Sequence, residues 1–365
     1  MAVNKVLHVI YHARFGGIEK VVFDILKHQP DHSEISQGLL ILKPEGELLH
    51  HFENLPVKIH RGAFKSGLDF SISKISSVKR TLKAYDIVHF HVFHLPAILC
   101  ALTIDISTVY TEHGNFGFGR KVRVTDRVNH FFKGIFLRRK VDFITYNSNF
   151  TRSFAQKKYR ISHGREGVVY NGIDFKALTE SREADFSTDP LFFNIGTISR
   201  LAGFKRIDRL ISAFAKFAAS RPDAKLYIGG EGVLKNELEA QACELNMEEK
   251  IVFTGYLENA PDFMGQMDVC VFPSHNEPFG IVAVESLSRE RPTLVFADGG
   301  GLVEIIERNN PKDIVENEEA MVCRLVEYYT NREQQPVSPL AKQEIIRDFS
   351  IATMCTSLNQ IYTSL

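Results

Sequence analysis

The stretch Asp268-Val-Cys-Val-Phe-Pro-Ser-His-Asn-Glu277-Pro-Phe-Gly-Ile-Val-Ala-Val-Glu285 decides how the rest of this chain is read. The apolar run after Asp268 has the length of a buried strand, and Glu285-Ser-Leu-Ser288 continues as helix. Glu277 stands just before that helix and Glu285 inside it, eight residues on. That spacing is a little over two turns, so both carboxylates can face one cleft. Gly280 between them lets the backbone approach a ligand closely. The amides at the helix start form a site for an anion. Carboxylates for hydroxyls beside amides for phosphate suit a nucleotide-sugar. The plain alternative is an acidic residue favouring a helix N-terminus and an unrelated surface Glu.

Outward from this stretch, short apolar runs alternate with helical periodicity, which argues for parallel sheets covered by helices. In the first half the expected strands are Val6–Tyr11, Leu39–Leu42, Ile87–Phe90, Thr108–Thr111, Phe143–Tyr146 and Gly167–Tyr170. Helices are expected over Ile18–His28, Ser71–Ala84, Arg123–Arg139 and Asn149–Lys158. Asn171-Gly-Ile-Asp174 is a turn signal, and Thr179–Pro190 reads as a linker. The pattern then restarts with Leu191–Gly196, Lys225–Gly229, Val252–Gly255, Val269–Phe272 and Thr293–Phe296. Two doubly wound Rossmann-like α/β domains are expected, with a cleft between them and ligands at the carboxyl ends of the strands.

At 365 residues the chain suits two domains. Its neutral total hides an asymmetry. Residues 1–178 hold 26 Lys+Arg against 15 Asp+Glu, the remainder 18 against 29, and thirteen of the fourteen histidines fall in the first half. The basic half is expected to face something anionic. The five cysteines are scattered without a C-x-x-C. Cys100, Cys270 and Cys323 lie in apolar surroundings, so reduced core thiols in a cytosolic protein are expected rather than a disulfide or zinc framework. No run reaches the roughly 18 apolar residues of a membrane span.

Three further turns point to the expected cleft. His12-Ala-Arg-Phe-Gly16-Gly17 follows the first strand, where a glycine pair lets amides meet a phosphate or serves the turn alone. Gly196-Thr-Ile-Ser-Arg200-Leu-Ala-Gly203-Phe-Lys205 follows the first strand of the second half. Cations belong at helix C-termini, so Arg200 and Lys205 at a helix entrance point to a ligand charge, a diphosphate clamp. Solvated surface cations are the plain alternative. Val295-Phe-Ala-Asp298-Gly-Gly-Gly301, followed by Glu304, places one more glycine turn at a strand end.

These turns follow one another in the order and spacing of the family-four retaining glycosyltransferases of the GT-B fold, which the chain resembles over nearly its whole length. Gly16-Gly17-Ile-Glu19, Asp86-Ile-Val-His-Phe-His91, Glu112-His113-Gly114 and Tyr170-Asn-Gly-Ile-Asp174 resemble the family's N-domain landmarks. The resemblance implies an N-terminal acceptor-side domain over 1–178, a nucleotide-sugar domain over 187–348, and a crossover helix over 349–365 returning to the first. It implies that Glu277 bonds hydroxyls of the donor sugar and Glu285 the ribose. Arg200 and Lys205 would hold the diphosphate, helped by Gly16, Gly17, Phe279, Gly280, Ile281 and Val282. His113 would sit by the anomeric centre, and Tyr256 and Leu257 near the base of UDP or GDP. No D-x-D pair seats a divalent metal, so no metal cofactor is expected. Pro278 replaces a common Gly, and Arg289-Glu-Arg291 stands where small residues often follow.

Gly119–Lys140 carries Arg120, Lys121, Arg123, Arg127, Lys133, Arg138, Arg139 and Lys140 against Asp126 alone, with apolar residues interleaved. A basic amphipathic segment of this kind fits an anionic lipid surface, and a core-facing helix with a solvated basic face is the alternative. The expected partners are a nucleotide-sugar and a glycan or lipid-linked acceptor, at the inner face of the cytoplasmic membrane. No nucleic-acid module is evident. The competing functions are a nucleotide-sugar epimerase of the same fold and a non-catalytic nucleotide-sugar sensor, which would be expected to lack Glu277 or the Arg200/Lys205 pair.

Overall fold

A computed structural model describes the chain except residues 1, 2, 4, 30–33, 68, 115–123, 162–163, 180–185 and 333–337. It divides into two compact units, Met1–Asp174 with Phe349–Leu365, and Phe175–Asp348.

The first unit is built on seven parallel strands: β1 (Lys5–Ile10), β2 (Ser36–Ile41), β3 (Lys58–Arg61), β4 (Ile87–Phe90), β5 (Ser107–Glu112), β6 (Phe143–Tyr146) and β7 (Glu166–Val168). Their order is β3-β2-β1-β4-β5-β6-β7, reversing between β1 and β4. The inner strands are buried on both faces, as parallel strands covered by helices must be. Edge strand β3 escapes sequence reading because Lys-Ile-His-Arg is polar and half exposed. The helix Ile351–Thr363 closes this unit. Its Met354, Cys355, Leu358, Ile361 and Tyr362 pack with Val21 and Ile25 of the helix Gly17–His28 and with Val6, Ile87 and Val109 of the sheet. Ile173 N–H donates to Phe349 O and Ile351 N–H to Ile173 O. A Cβ on Gly172 would lie 2.6 Å from Ile351 Cα, which explains the glycine in Asn171-Gly-Ile-Asp174.

The second unit repeats the plan with β8 (Phe193–Ile198), β9 (Ala224–Gly229), β10 (Ile251–Gly255), β11 (Val269–Phe272), β12 (Thr293–Phe296) and β13 (Ile314–Val315), in the order β10-β9-β8-β11-β12-β13. All pairings are parallel, and the order reverses between β8 and β11. Helix Ile207–Ala218 shows why its sequence folds as it does. Ile207, Leu210, Ile211, Phe214 and Phe217 recur at helical spacing and are all buried, each worth about 1.5–3 kcal/mol in transfer free energy. Residues 186–188 pack onto this unit, where Thr188 N–H donates to Gln266 Oε1 and Phe186 packs edge-on to Tyr227 and tilted against Phe263. Arg289 donates to Leu178 O at 2.6 Å and to Asp262 at 2.5 Å, so a large residue is accommodated there by ion pairing.

Cys100, Cys270 and Cys355 are buried and, among the described residues, form no disulfide. Cys323 is exposed, which corrects its expected place in the core. Its apolar neighbours in sequence lie on the buried face of the helix Glu318–Thr330, with Met321 and Leu325, while Cys323 lies outside that stripe.

Candidate functional site

In the second unit the loops after β8 and β11 leave the sheet at the strand-order reversal, where doubly wound sheets bind ligands. The first loop carries Arg200 and Lys205, the second Glu277. Lys205 Nζ lies 2.6 Å from Glu277 Oε2, both side chains largely buried. The two loops are tied further by His275 N–H, which donates to Phe204 O at 2.7 Å. Arg200 and Lys205 flank one aromatic ring, with Cζ at 5.8 Å and Nζ at 5.2 Å from the Phe204 centroid. Arg200 is exposed and, among the described residues, has no carboxylate partner. It is an exposed cation beside the Phe204 ring.

Glu277 leads into the helix Ile281–Ser288, which contains Glu285 and whose first turn receives no side-chain cap. Gly280 is the N-cap in the left-handed region, φ +95°, and a Cβ there would meet Leu302 Cδ2 at 2.2 Å. Any larger residue there would be strained in its backbone and would have to displace the Leu302 side chain. Phe279 is buried, so only its backbone can reach a ligand. Ile281 and Val282 open the helix, half-buried. The Gly299–Gly301 turn braces this loop: Gly301 N–H donates to Glu277 O at 2.7 Å and Glu277 N–H to Gly299 O at 3.2 Å. Tyr256 is exposed beyond β10, and Leu257 lies against Gly229.

Sequence reading missed two supports of this site. The run Gly229-Gly-Glu-Gly232 straps the Arg200 loop: Ser199 N–H donates to Gly229 O and Leu201 N–H to Glu231 O. A Cβ on Gly230 (φ +109°) would lie 2.0 Å from Ser199 O. The glycine repeat was the available signal. The second support is Asp298, which accepts from Arg209 and from His275 Nδ1 at 3.1 Å; its glycine turn was read, but nothing in the turn marks these two partners.

In the first unit Gly16 caps the helix Gly17–His28 without a side-chain bond. The carboxylate nearest that turn is the chain's own. Glu19 is buried, 3.1 Å from His12 Nδ1, and burial raises its pKa. His113 follows β5, partly exposed. Its pKa is pulled down to about 3 by burial and then by the Lys133 charge, so the ring is neutral. Beneath it one sheet face is polar: His8 on β1, His89 on β4, Thr111 on β5 and Thr145 on β6 are all buried, with His91 at the end of β4. Among the described residues, His8, His89 and His91 form the one grouping with a metal's ligand spacing. Each of their ring nitrogens already faces a hydrogen-bond partner.

The basic segment divides. Arg120, Lys121 and Arg123 lie outside the described residues. Arg127 is exposed on the helix Val124–Arg139 beside exposed Val128, Phe131 and Phe132. Lys133 is not a surface cation. It is buried, its Nζ 2.5 Å from Glu112 Oε2 and 5.0 Å from the ring centroids of both Tyr110 and Tyr159. The turn that exposes Arg127 and Phe131 aims position 133 at the sheet, and Glu112 at the end of β5 supplies its counter-charge. Burial would lower the pKa of Lys133, but Glu112 outweighs it and the net shift is upward.

Two family models match the chain, Glycosyltransferase Family 4 over residues 15–177 and Glycosyl transferases group 1 over residues 180–336. A Campylobacter jejuni N-acetylgalactosamine-N,N'-diacetylbacillosaminyl-diphospho-undecaprenol 4-alpha-N-acetylgalactosaminyltransferase is 34% identical over 149 residues, 41% of this chain and 40% of that protein. The O-antigen biosynthesis glycosyltransferase WclY of Escherichia coli is 23% identical over 235 residues, 61% and 64% of the two chains. Mannosylfructose-phosphate synthase of Agrobacterium fabrum is 35% identical over 113 residues, 28% and 25%. The matches thus span 25% to 64% of these relatives' lengths. Among solved structures, Anabaena Alr3699/HepE in complex with UDP and glucose matches with TM-score 0.77 at 18% identity, covering 99% of this chain and 100% of that one. The lipopolysaccharide outer core galactosyltransferase WaaB matches with TM-score 0.69 at 17% identity and the same coverage. Likeness at these identities is likeness of fold.

Proposed function

The chain belongs to glycosyltransferase family 4 and has the GT-B fold, and from that premise we propose that it transfers a hexosyl unit from a UDP- or GDP-sugar to a glycan or lipid-linked acceptor with retention of anomeric configuration. The observation that carries this reading is the Lys205–Glu277 pair, 2.6 Å apart, with an Arg200 that has no carboxylate partner among the described residues. A diphosphate takes the two cations and frees the Glu277 carboxylate for sugar hydroxyls. Uncapped amides at Gly280–Val282 add donors for the same charge. Glu285 is assigned to the ribose, Tyr256 and Leu257 to the base, and His113 to the sugar. Breaking the sugar–phosphate bond builds negative charge on the leaving diphosphate, and fixed cations and amides stabilise it as it forms. They take the place of a metal.

The relatives' names support an acceptor in surface-polysaccharide or glycolipid assembly: one is named for a diphospho-undecaprenol-linked substrate, another for O-antigen biosynthesis. Among the described residues no helix is long and apolar enough to cross a membrane. Exposed Val128, Phe131 and Phe132 beside Arg127 support peripheral contact with anionic lipid at the inner face of the cytoplasmic membrane. The test is a transfer assay with UDP- and GDP-hexoses and polyprenyl-diphosphate-linked acceptors, the product's anomeric configuration read by NMR. The reading requires a glycosylated product of the donor's own configuration. An inverted product removes the retaining mechanism, and no transfer from any donor removes the function.

A further inference from the structure

The buried imidazoles of the first unit form a chain whose direction the structure determines. Gln37 Nε2 donates to Ile35 O at 3.1 Å, which leaves its Oε1 facing His8 Nε2 at 2.8 Å. An amide oxygen only accepts, so His8 carries its proton on Nε2. His8 is neutral, pulled down to about 4 by burial, and its Nδ1 is therefore a lone pair. His91 Nε2, 2.9 Å away, must donate to it. His91 is also neutral, held well below the ordinary imidazole range by burial and by the neighbouring histidines. Its Nδ1 accepts in turn from His113 Nε2 at 3.1 Å. Neutral His113 is left with a lone pair on Nδ1, and among the described residues no hydrogen bond reaches that atom. Reversing the chain means turning the Gln37 amide, which would leave Ile35 O without this donor. His89 stands aside, bonded to Tyr362 Oη and Thr111 Oγ1, each at 2.6 Å, with its ring 4.1 Å from that of His91.

We propose that Gln37, His8 and His91 are positioning residues: through a one-way relay of hydrogen bonds they hold His113 protonated on Nε2 and present its Nδ1 as an acceptor for a hydroxyl of the donor sugar. The inference rests on the assignment of His113 to the sugar made above. Its chemical sense lies in the charge that develops. The sugar becomes electron-poor as its bond to the diphosphate breaks, and a neutral ring with its lone pair toward that sugar is compatible with the charge. An imidazolium would oppose it, and the other tautomer would point an N–H at the hydroxyl instead.

The test is NMR of the full-length protein labelled with 15N-histidine, which separates protonated from unprotonated ring nitrogens. In the wild type at neutral pH, His8, His91 and His113 should each show a protonated Nε2 and an unprotonated Nδ1. This reading needs no variant. Gln37→Met keeps the side chain's length without its acceptor. It should give His113 a mixed tautomer and lower kcat about tenfold, the low end for outer partners of a functional imidazole, with donor KM unchanged. A thermal melt establishes that this variant is folded. Protonated Nδ1 on wild-type His113, metal-shifted nitrogens on His8 and His91 with stoichiometric zinc, or a folded Gln37→Met with an unchanged His113 tautomer would each overturn the relay. His113→Ala separates the two assignments. Normal transfer by His113→Ala sinks the sugar-binding role and the relay's purpose with it. A crippled His113→Ala beside a Gln37→Met with altered tautomer and full kcat leaves the role standing and sinks the relay alone.

Discussion

Glu277 and Lys205 each hold the other's charge at 2.6 Å, so a change at either acts on both. Glu277→Gln keeps the shape and removes the charge, and transfer should fall by about two orders of magnitude, the scale of losing one preorganised electrostatic group. Nucleotide binding should survive, because the cations remain. Steady-state kinetics beside a binding titration separate the two effects, and normal turnover would refute the role of the carboxylate. Arg200→Ala should cost a similar factor through the diphosphate, with little effect on folding, since Arg200 is exposed and bonded to no carboxylate among the described residues. Lys133 behaves in the opposite way. Removing it strands Glu112 in the interior, and Lys133→Met should destabilise the protein by about 3–5 kcal/mol, read by chemical denaturation. An unchanged midpoint would mean that the pair is not buried in solution. Charge reversal at Lys133 therefore reports on folding and cannot serve as a probe of lipid binding.

The elements that carry the site depend on glycines where backbone meets backbone or the left-handed region is required. Gly280→Ala meets the second condition, with φ +95°, and its Cβ would crowd the Leu302 side chain. The backbone strain alone is about 1–3 kcal/mol, so the start of the helix Ile281–Ser288 should shift, lowering the melting temperature and weakening nucleotide binding together. A variant that melts and binds as the wild type would contradict the stated geometry. The helix Val124–Arg139 carries a different test. Arg127→Glu with Phe131→Ser should reduce co-sedimentation with anionic vesicles, by about 1 kcal/mol for each charge near the surface, and spare hydrolysis of the donor. Equal pelleting of both proteins would remove the membrane role. Period and turn chemistry made most strands legible, because each buried run is bounded by glycine or polar residues. Strand β3 was not legible because a polar edge strand carries no such contrast, and β13 because it is two residues long. Arg200, Lys205 and Glu277 could be read from their turns. Lys133 could not, since periodicity reports a helix but not which face a distant carboxylate will claim.

At the scale of the whole molecule, the histidine excess of the first half becomes a dependence of stability on pH. His8 is pulled down to about 4, and His89 and His91 lie well below the ordinary value, chiefly through burial. Unfolded imidazoles take protons near pH 6.5 while these folded ones do not. Their contribution is therefore complete above about pH 6.5 and is lost as pH falls from there through their folded pKa values, at about 1.4 kcal/mol per pH unit for each ring. Buried Glu19 and Asp24, raised by burial, take up protons in the folded state and oppose the loss at its acid end. Urea midpoints at pH 7.5 and pH 5 check this, and a flat profile would contradict the neutral array. The run Asp86–His91 was legible as a landmark, but the partners of His89 (Tyr362 and Thr111) and of His91 (His8 and His113) come from other parts of the chain and carry no common motif. The central claim, that cations and amides of this chain bind a nucleotide-diphosphate sugar without a metal, is tested most directly by calorimetric titration of UDP- and GDP-sugars in EDTA, with wild type and Arg200→Ala side by side. The account predicts saturable binding of at least one sugar nucleotide by the wild type and its loss in Arg200→Ala. Binding that appears only when magnesium or manganese is restored, or that is equal in the two proteins, would contradict it.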